Sequence, residues 1–219
     1  MFNLFKSKKA TINSISIPDF GWEQVKNEAE MQQWLNPAQS IALSINFFDQ
    51  KPDLPTAKDI DLLRGYYRDQ IVVPNGGLIQ ADLINLKTYS AIKTMFKIPQ
   101  NPTGMTYLGS LTIPFKKCSY VVKIQAVEVG TTGLRDSLVS NQLLTEGKIT
   151  LGGAGFENWF VDPYDPSFKK GTLMNASEEL AYDAMFPEHP LSQARNLLTQ
   201  IESQIVFADE LSKYKKFKK

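Results

Sequence analysis

The most regular pattern of apolar and polar positions lies between Leu78 and Gly130, where four apolar stretches are separated by short breaks. In residues 89–98, apolar and polar residues alternate with the two-residue period of a half-buried strand. Two prolines and a glycine in residues 99–104 then favour a reversal of the chain. The pattern predicts a meander of four antiparallel strands, at residues 78–86, 89–98, 105–115 and 119–129. We expect the fourth strand to be the most buried, because almost every residue in it is bulky.

Further segments are predicted to extend this sheet and to cover it. Residues 40–48 predict a first strand, which precedes the meander in the chain. Residues 57–72 predict an amphipathic helix, because their apolar residues recur at helical spacing and Thr56 and Asp59 are spaced as a capping box. Residues 133–146 predict a second helix. Its apolar positions are Leu134, Leu138, Leu143 and Leu144.

The N-terminal part predicts one strand and one helix. Isoleucines recur in residues 12–17, which is typical of a short strand before a proline. Residues 23–35 predict a modest helix that Asn36 and Pro37 end. Trp22 and Trp34 are expected to anchor that helix to the core.

The C-terminal part predicts a joint followed by a helical extension. The glycine-rich residues 152–155 are typical of a flexible joint between two parts of a chain. We therefore expect an α/β sandwich domain at residues 1–151, and a loop with helices packed on that domain at residues 152–219.

Two helices are predicted in this extension. Asn175, with Glu178 three residues later, marks the start of a short helix, and a long helix begins near Pro190. The apolar stripe of the long helix consists of Leu191, Ala194, Leu197, Leu198, Ile201 and Ile205. The fold class that follows is α+β: an antiparallel sheet of about five strands with a central meander, packed by helices and followed by a C-terminal helical extension.

The amino-acid composition indicates the cellular compartment. The single cysteine, Cys118, allows no disulfide within the chain, which indicates a reducing compartment and hence a cytoplasmic location. The first nine residues contain too few apolar residues for a signal peptide, and no run of eighteen apolar residues could span a bilayer.

Charge is unevenly distributed, although the formal net charge is +1. Residues 11–211 hold 16 basic and 23 acidic residues, a net charge of −7, which argues against a nucleic-acid-binding domain and suits either a basic protein partner or a solvated acidic surface. The basic ends are typical of frayed, solubilising termini, with contact to an anionic membrane surface as the alternative. The eight terminal lysines are Lys6, Lys8, Lys9, Lys213, Lys215, Lys216, Lys218 and Lys219.

Few residues carry a recognisable chemistry. His189 is the only histidine, and its place before Pro190 at a helix start favours a capping or surface role over catalysis. Asp162 and Asp165 are three residues apart, as in a paired acid/base or metal site, but each precedes a proline, which favours turns in which the carboxylate accepts backbone N–H groups. Cys118 is expected to be a packed, inert thiol.

The loop around Asp162 combines aromatic and acidic residues. This is the composition of an interaction surface, in which rings supply buried area and carboxylates attract a cationic partner. The residues predicted to bind a partner are Glu157, Trp159, Asp162, Tyr164 and Asp165. The alternative is that the loop folds back over the core and closes it.

The order of a strand, a helix, the meander and a second helix resembles the α/β/α sandwich of the PsbP-like class over residues 40–147. The helix opening Gly133-Leu134-Arg135-Asp136 is part of that resemblance. The C-terminal segments around Trp159, Asp162-Pro163-Tyr164-Asp165 and residues 186–192 are similar to those of bacterial proteins encoded beside secreted toxins as immunity partners. The resemblance implies a non-enzymatic domain that binds another protein or a ligand, and it assigns no catalytic residue.

Three functions follow as hypotheses. The first is a non-enzymatic cytoplasmic protein that binds a protein partner, most concretely an immunity-type inhibitor covering the active site of a basic toxin. The second is a hydrolase that uses Asp162, Asp165 and His189 in a cleft between the sheet and the C-terminal helices. The third is a secretion chaperone or adaptor that holds an apolar segment of its client. No cofactor and no metal are expected.

Overall fold

The computed structural model describes residues 9–153 and 155–218. Its strands are β1 (Ile15–Ser16), β2 (Glu23–Asn27), β3 (Met31–Leu35), β4 (Ile41–Phe48), β5 (Gly77–Leu86), β6 (Tyr89–Pro99), β7 (Met105–Pro114), β8 (Ser119–Val127), β9 (Thr150–Gly152), β10 (Gly155–Glu157) and β11 (Val206–Phe207). Its α-helices are α1 (Ile60–Val72), α2 (Leu134–Thr145) and α3 (Pro190–Gln204). Short 3-10 helices occupy Ile12–Ser14, Ala176–Glu178, Leu180–Tyr182 and Asp209–Lys213.

Seven antiparallel strands form the main sheet, in the order β2-β3-β4-β8-β7-β6-β5. The predicted α+β class and the four-stranded meander are confirmed, and the sheet is larger than the five strands expected. β4 pairs with β8, which closes the meander onto the N-terminal strands. β8 lies in the middle of the sheet, and its residues are alternately buried and partly exposed. No helix in the described ranges is long and apolar enough to cross a membrane.

The two faces of the sheet are covered by different helices. On one face, α3 packs over β7 and β8 with its whole predicted stripe buried, which confirms that stripe. A Cβ atom added to Gly109 of β7 would lie 2.7 Å from a methyl group of Leu198, so the absence of a side chain there lets α3 approach the sheet closely. On the other face, α1 packs against β5 through Leu63 and Ile71.

The helix predicted at residues 23–35 is wrong, because this segment forms the hairpin of β2 and β3. β3 pairs along its whole length with β4, from Met31 opposite Asn46 to Leu35 opposite Ala42. The residues have ordinary helix propensity, but pairing with the edge of a sheet satisfies their backbone groups and overrides that preference. In residues 12–17, only Ile15–Ser16 is a strand, and a 3-10 turn precedes it.

The other predicted boundaries shift by a few residues. Asp59, not Thr56, caps α1: its carboxylate accepts hydrogen bonds from the N–H groups of Asp61 and Leu62. The predicted short helix is a 3-10 turn with the expected capping box between Asn175 and Glu178. The predicted joint is the turn region of the β9–β10 hairpin, in which Ala154 lies outside the described residues.

The C-terminal segment docks on the body. Phe217 is only 6% exposed and packs with Leu54, Leu63 and Ile92. The expectation of a frayed C-terminal end is therefore wrong for the described residues. The main core also contains residues from both sides of the predicted boundary at 151, and that division stays a prediction.

Candidate binding groove

A cavity of about 640 Å³ opens at the end of the sheet where β8 finishes and α2 and α3 begin. Its walls come from the β3–β4 turn, from the loop after β8 and from the loop before α3. The volume lies in the range of about 300–1,000 Å³ that is usual for ligand sites in proteins. We refer to it as the groove.

Glu128 lies at the floor of the groove and joins three elements. Its carboxylate accepts hydrogen bonds from the backbone N–H of Met105 at 2.7 Å and of Gly133 at 3.1 Å, and it lies 3.5 Å from Nε2 of His189. Burial raises the pKa of Glu128, but the hydrogen bonds from His189, Gly133 and Met105 outweigh it, and the pKa lies below its ordinary value. The carboxylate therefore fixes the loop after β8 in its folded form.

His189 uses both ring nitrogens in structural contacts. Its Nδ1 accepts a hydrogen bond from the N–H of Leu191 at 3.3 Å, which caps α3, so the neutral ring carries its proton on Nε2, facing Glu128. The ring also packs edge to face against Tyr107. The predicted capping role is confirmed, and the lone pair that general-base chemistry would need is already engaged by the helix.

Part of the rim of the groove is apolar and exposed, beside the exposed polar residues Thr131 and Glu188. Val129, Leu134 and Met185 line it and are 67%, 53% and 58% exposed. Leu138 lies one helical turn beyond Leu134 on α2 and is also exposed, so the apolar surface continues along that helix. Of the four leucines that predicted α2, only Leu143 is buried.

Arg135 makes the wall behind the groove rigid. Its guanidinium is almost fully buried and donates to the carbonyl oxygens of Ser177 and Glu179, to Oγ of Ser192 and to a carboxylate oxygen of Asp183, at 2.7–3.1 Å. These bonds hold the segment that leads into the loop before α3. One wall of the groove is thereby preorganised.

We expect Glu128 to contribute stability that depends on pH. Because folding lowers its pKa, this contribution is present above the unfolded-state pKa of about 4.3 and is lost as pH falls through the lower folded-state value. Glu128→Gln should therefore destabilise the protein most near neutral pH and progressively less below about pH 4. Urea unfolding of both proteins between pH 3 and 7 measures this, and a stability difference that stays constant with pH would contradict it.

Asp162 and Asp165 lie on the α1 side of the sheet. Both carboxylates accept hydrogen bonds from Arg68 of α1, Asp162 through two bonds of 3.0 and 3.1 Å and Asp165 through one of 3.4 Å. Each also accepts backbone N–H groups two or three residues ahead, as the predicted turns require. His189 instead faces Glu128, so the structure does not bring together the three residues of the hydrolase hypothesis.

The other predicted partner-binding residues have mixed placements. Trp159 is buried against Val139 and Leu143 of α2, and Asp162 is 2% exposed, so this part of the loop closes the core. The Tyr164 hydroxyl accepts the N–H of Ala81. Glu157 and the edge of Asp165 reach solvent. The partner-binding role of these residues stays a prediction.

Two further candidate sites have structural explanations. Cys118 is buried, which confirms the packed thiol, and burial raises the pKa of that thiol to about 11, as an inert thiol requires. No group of three or more His, Cys, Asp or Glu residues within 9–153 and 155–218 is arranged to hold a metal ion.

Sequence reasoning missed Glu128, Val129 and Met185. Glu128 directly follows a bulky strand, and a carboxylate in that place is a usable signal, because it must be satisfied close to the core. No such local signal marks Met185, because the groove is assembled from three segments that lie about 50 to 90 residues apart in the chain.

No protein-family model matches the chain, and no curated protein matches it in sequence. Among solved structures, a Bacteroides thetaiotaomicron protein is similar with a TM-score of 0.36 and 10% identity, covering 56% of this chain and 41% of that one. Mycobacterium tuberculosis LpqN, which is involved in cell envelope biogenesis, has a TM-score of 0.32 and 15% identity, covering 52% of this chain and 71% of its own. Neither likeness carries a functional argument, and the PsbP-like and immunity-type resemblance stays a prediction.

Proposed function

We propose that the protein is a non-catalytic binding protein that holds an apolar segment of another protein in the groove. The observation that carries the proposal is the set of three exposed apolar side chains beside this cavity, Val129, Leu134 and Met185. Contiguous exposed apolar surface beside a cavity is typical of an interaction site. Leu138 extends this surface along α2, which gives an elongated contact area.

The exposure of the rim favours a protein segment over a small molecule. A pocket for a small ligand encloses its apolar lining, whereas these three side chains each present more than half of their surface to solvent. A protein partner covers such a rim and inserts one side chain into the cavity, as anchor residues do at interfaces. The methionine suits this role because its flexible thioether adapts to different apolar surfaces.

The floor of the groove supplies rigidity. The ring nitrogens of His189 and the carboxylate of Glu128 are held by backbone N–H groups and by each other, and Arg135 fixes the loop before α3. A preformed site loses less conformational entropy on binding.

Two kinds of partner fit this groove. An immunity-type inhibitor would bind a folded basic toxin, and a secretion chaperone or adaptor would hold an extended apolar segment of its client. The groove serves either role, because both present an apolar anchor. We propose the toxin as the finer assignment, on the resemblance in the C-terminal segments.

The groove is tested with Leu134→Glu/Met185→Glu, which places charge on the rim without altering a buried residue. Peptides selected on the wild-type protein from a displayed library, and native partners captured from a lysate, should bind this variant at least about tenfold more weakly, because each glutamate is desolvated on contact. Calorimetry with the purified binder measures the affinity.

Leu151→Glu/Val206→Glu is the matched control. Both leucine and valine are exposed, neither lines the groove, and the charge change is the same. We expect wild-type affinity from this control. Equal affinity of the groove variant and the wild type for every selected binder would contradict the proposal.

A further inference from the structure

The C-terminal segment and the β7–β8 turn together form a cationic surface. Two lysines of the turn lie beside four lysines of the C-terminal segment, which is about 100 residues further along the chain. All six are exposed. We refer to them as the lysine face: Lys116, Lys117, Lys213, Lys215, Lys216 and Lys218.

The two segments are joined by backbone and aromatic contacts. The N–H of Lys116 donates to the carbonyl oxygen of Lys215 at 2.9 Å, and Phe115 and Lys216 form an antiparallel bridge. The rings of Phe115 and Tyr214 pack edge to face. The lysine face is therefore held by the fold and is not a property of a loose tail.

Two aromatic residues of the C-terminal segment point inward and leave the lysines outside. Phe217 is buried in the small core beneath α1. The Tyr214 hydroxyl accepts a hydrogen bond from the N–H of Ala10 at 2.6 Å. Because these anchors fix the segment, the lysines are held at the surface: four of them line one cleft, and Lys216 and Lys218 line the neighbouring one.

Among the described residues, the lysine face has no carboxylate ion-paired to it. In the part of the chain that the structure describes, none of the six ammonium groups lies within 4.0 Å of a carboxylate. Four of the lysines line a cleft of about 250 Å³ whose single carboxylate, Glu210, accepts a hydrogen bond from Ser14. Six clustered positive charges create a positive surface potential, which attracts an anionic partner.

We propose that the lysine face docks the protein on a membrane surface rich in anionic phospholipids. Clusters of four to eight basic residues beside one another are the pattern that attracts such a surface. The docking is peripheral, because the neighbouring aromatic rings of Phe115 and Phe217 are buried and cannot enter the bilayer. Attraction between exposed charges is screened by salt, so the docking depends on ionic strength.

Two features favour a lipid surface over a nucleic acid. All six cations are lysines, whereas the reading of base edges in nucleic acids relies heavily on the planar fork of arginine. Proteins that bind single-stranded nucleic acids also use exposed rings on which bases stack, and the rings of Phe115 and Phe217 are buried. A diffuse array of point charges matches the mobile headgroups of a membrane.

Docking through the lysine face leaves the groove free. The lysine face adjoins the start of β8 at Ser119, and the groove lies beyond the end of the strand at Val127. A nine-residue strand separates the two sites by roughly 25–30 Å. The protein could therefore hold its partner while it rests on the membrane.

The test is co-sedimentation of the full chain with vesicles of phosphatidylcholine in which about one third of the lipid is phosphatidylserine. We expect binding at low ionic strength, none to vesicles of phosphatidylcholine alone, and release at about 0.5 M salt. Lys116→Gln/Lys215→Gln/Lys216→Gln should lower the partition coefficient at least about tenfold.

Lys148→Gln/Lys169→Gln/Lys170→Gln is the control, because it removes the same charge from exposed positions outside the lysine face. It should bind the anionic vesicles within about twofold of the wild type. Equal losses in both variants, full binding by the lysine-face variant, or absence of binding to anionic vesicles would each overturn the proposal. Binding of a short RNA that the lysine-face variant loses, with no binding to vesicles, would overturn it in favour of a nucleic acid.

Discussion

Glu178→Gln is expected to destabilise the protein by about 3–5 kcal/mol, because it leaves the ammonium group of Lys97 buried without a counter-charge. The two charges lie 2.7 Å apart, and both side chains are 1% exposed. Glutamine retains oxygen and shape, so the variant isolates the charge. Urea unfolding at neutral pH measures the loss.

Glu178 also connects three parts of the fold. Its carboxylate accepts the N–H of Asn175 at 2.8 Å and the hydroxyl of Tyr107 at 3.1 Å, besides binding Lys97 of β6. The pair therefore ties the segment before α3 to the sheet. Its loss should loosen the loop that forms one wall of the groove, and amide hydrogen exchange in residues 175–189 should accelerate.

The double variant Lys97→Met/Glu178→Gln is the internal control. Methionine fills the space of the lysine stem. The glutamine carbonyl oxygen can accept from the N–H of Asn175 while its NH2 group donates to the hydroxyl oxygen of Tyr107, so no charge is left unpaired. We expect the double variant to be more stable than either single variant. If the losses of the two single variants simply add, the two residues do not act as an ion pair.

The strands of the meander could be predicted because their signal is local. Alternation in β6 and the turn residues after it specify strand and reversal without reference to any distant residue. The ion pairs of that strand could not be predicted. Lys93 forms an ion pair with Glu202 of α3, and Lys97 forms one with Glu178. Both partners are about 80–110 residues further along the chain.

The β2–β3 hairpin shows why a local pattern can mislead. Residues 23–35 hold few strong strand formers, and a helix is a fair expectation from them alone. β3 becomes a strand because β4, the next strand in the chain, offers it an unpaired edge, and the spacing of apolar residues within 23–35 carries no sign of that pairing. Trp34 nevertheless packs against the core, as predicted.

Part of the candidate site could be predicted from the sequence, and part could not. His189 could be assigned as a helix cap from its place before Pro190, since proline at the first turn marks a helix start. Its partner Glu128 and the rim at Met185 required the fold. The docking of the lysine-rich C-terminal segment could have been predicted from Tyr214 and Phe217, because aromatic residues spaced among lysines indicate that a segment packs on the body.

Ile201→Ala is expected to cost about 2–4 kcal/mol of unfolding free energy, from lost transfer energy and the cavity left behind. Ile201 is completely buried at the centre of the α3 stripe, and α3 packs on β7 and β8, so the neighbours cannot collapse into the space without moving the sheet. Thr199→Ala is the control on the same helix: its side chain is exposed, its hydroxyl donates only to the Arg195 carbonyl within α3, and its replacement should change stability by less than about 0.5 kcal/mol. Chemical unfolding of both variants measures these changes in stability. Equal midpoints for Ile201→Ala and the wild type would mean that α3 does not contribute its stripe to the core.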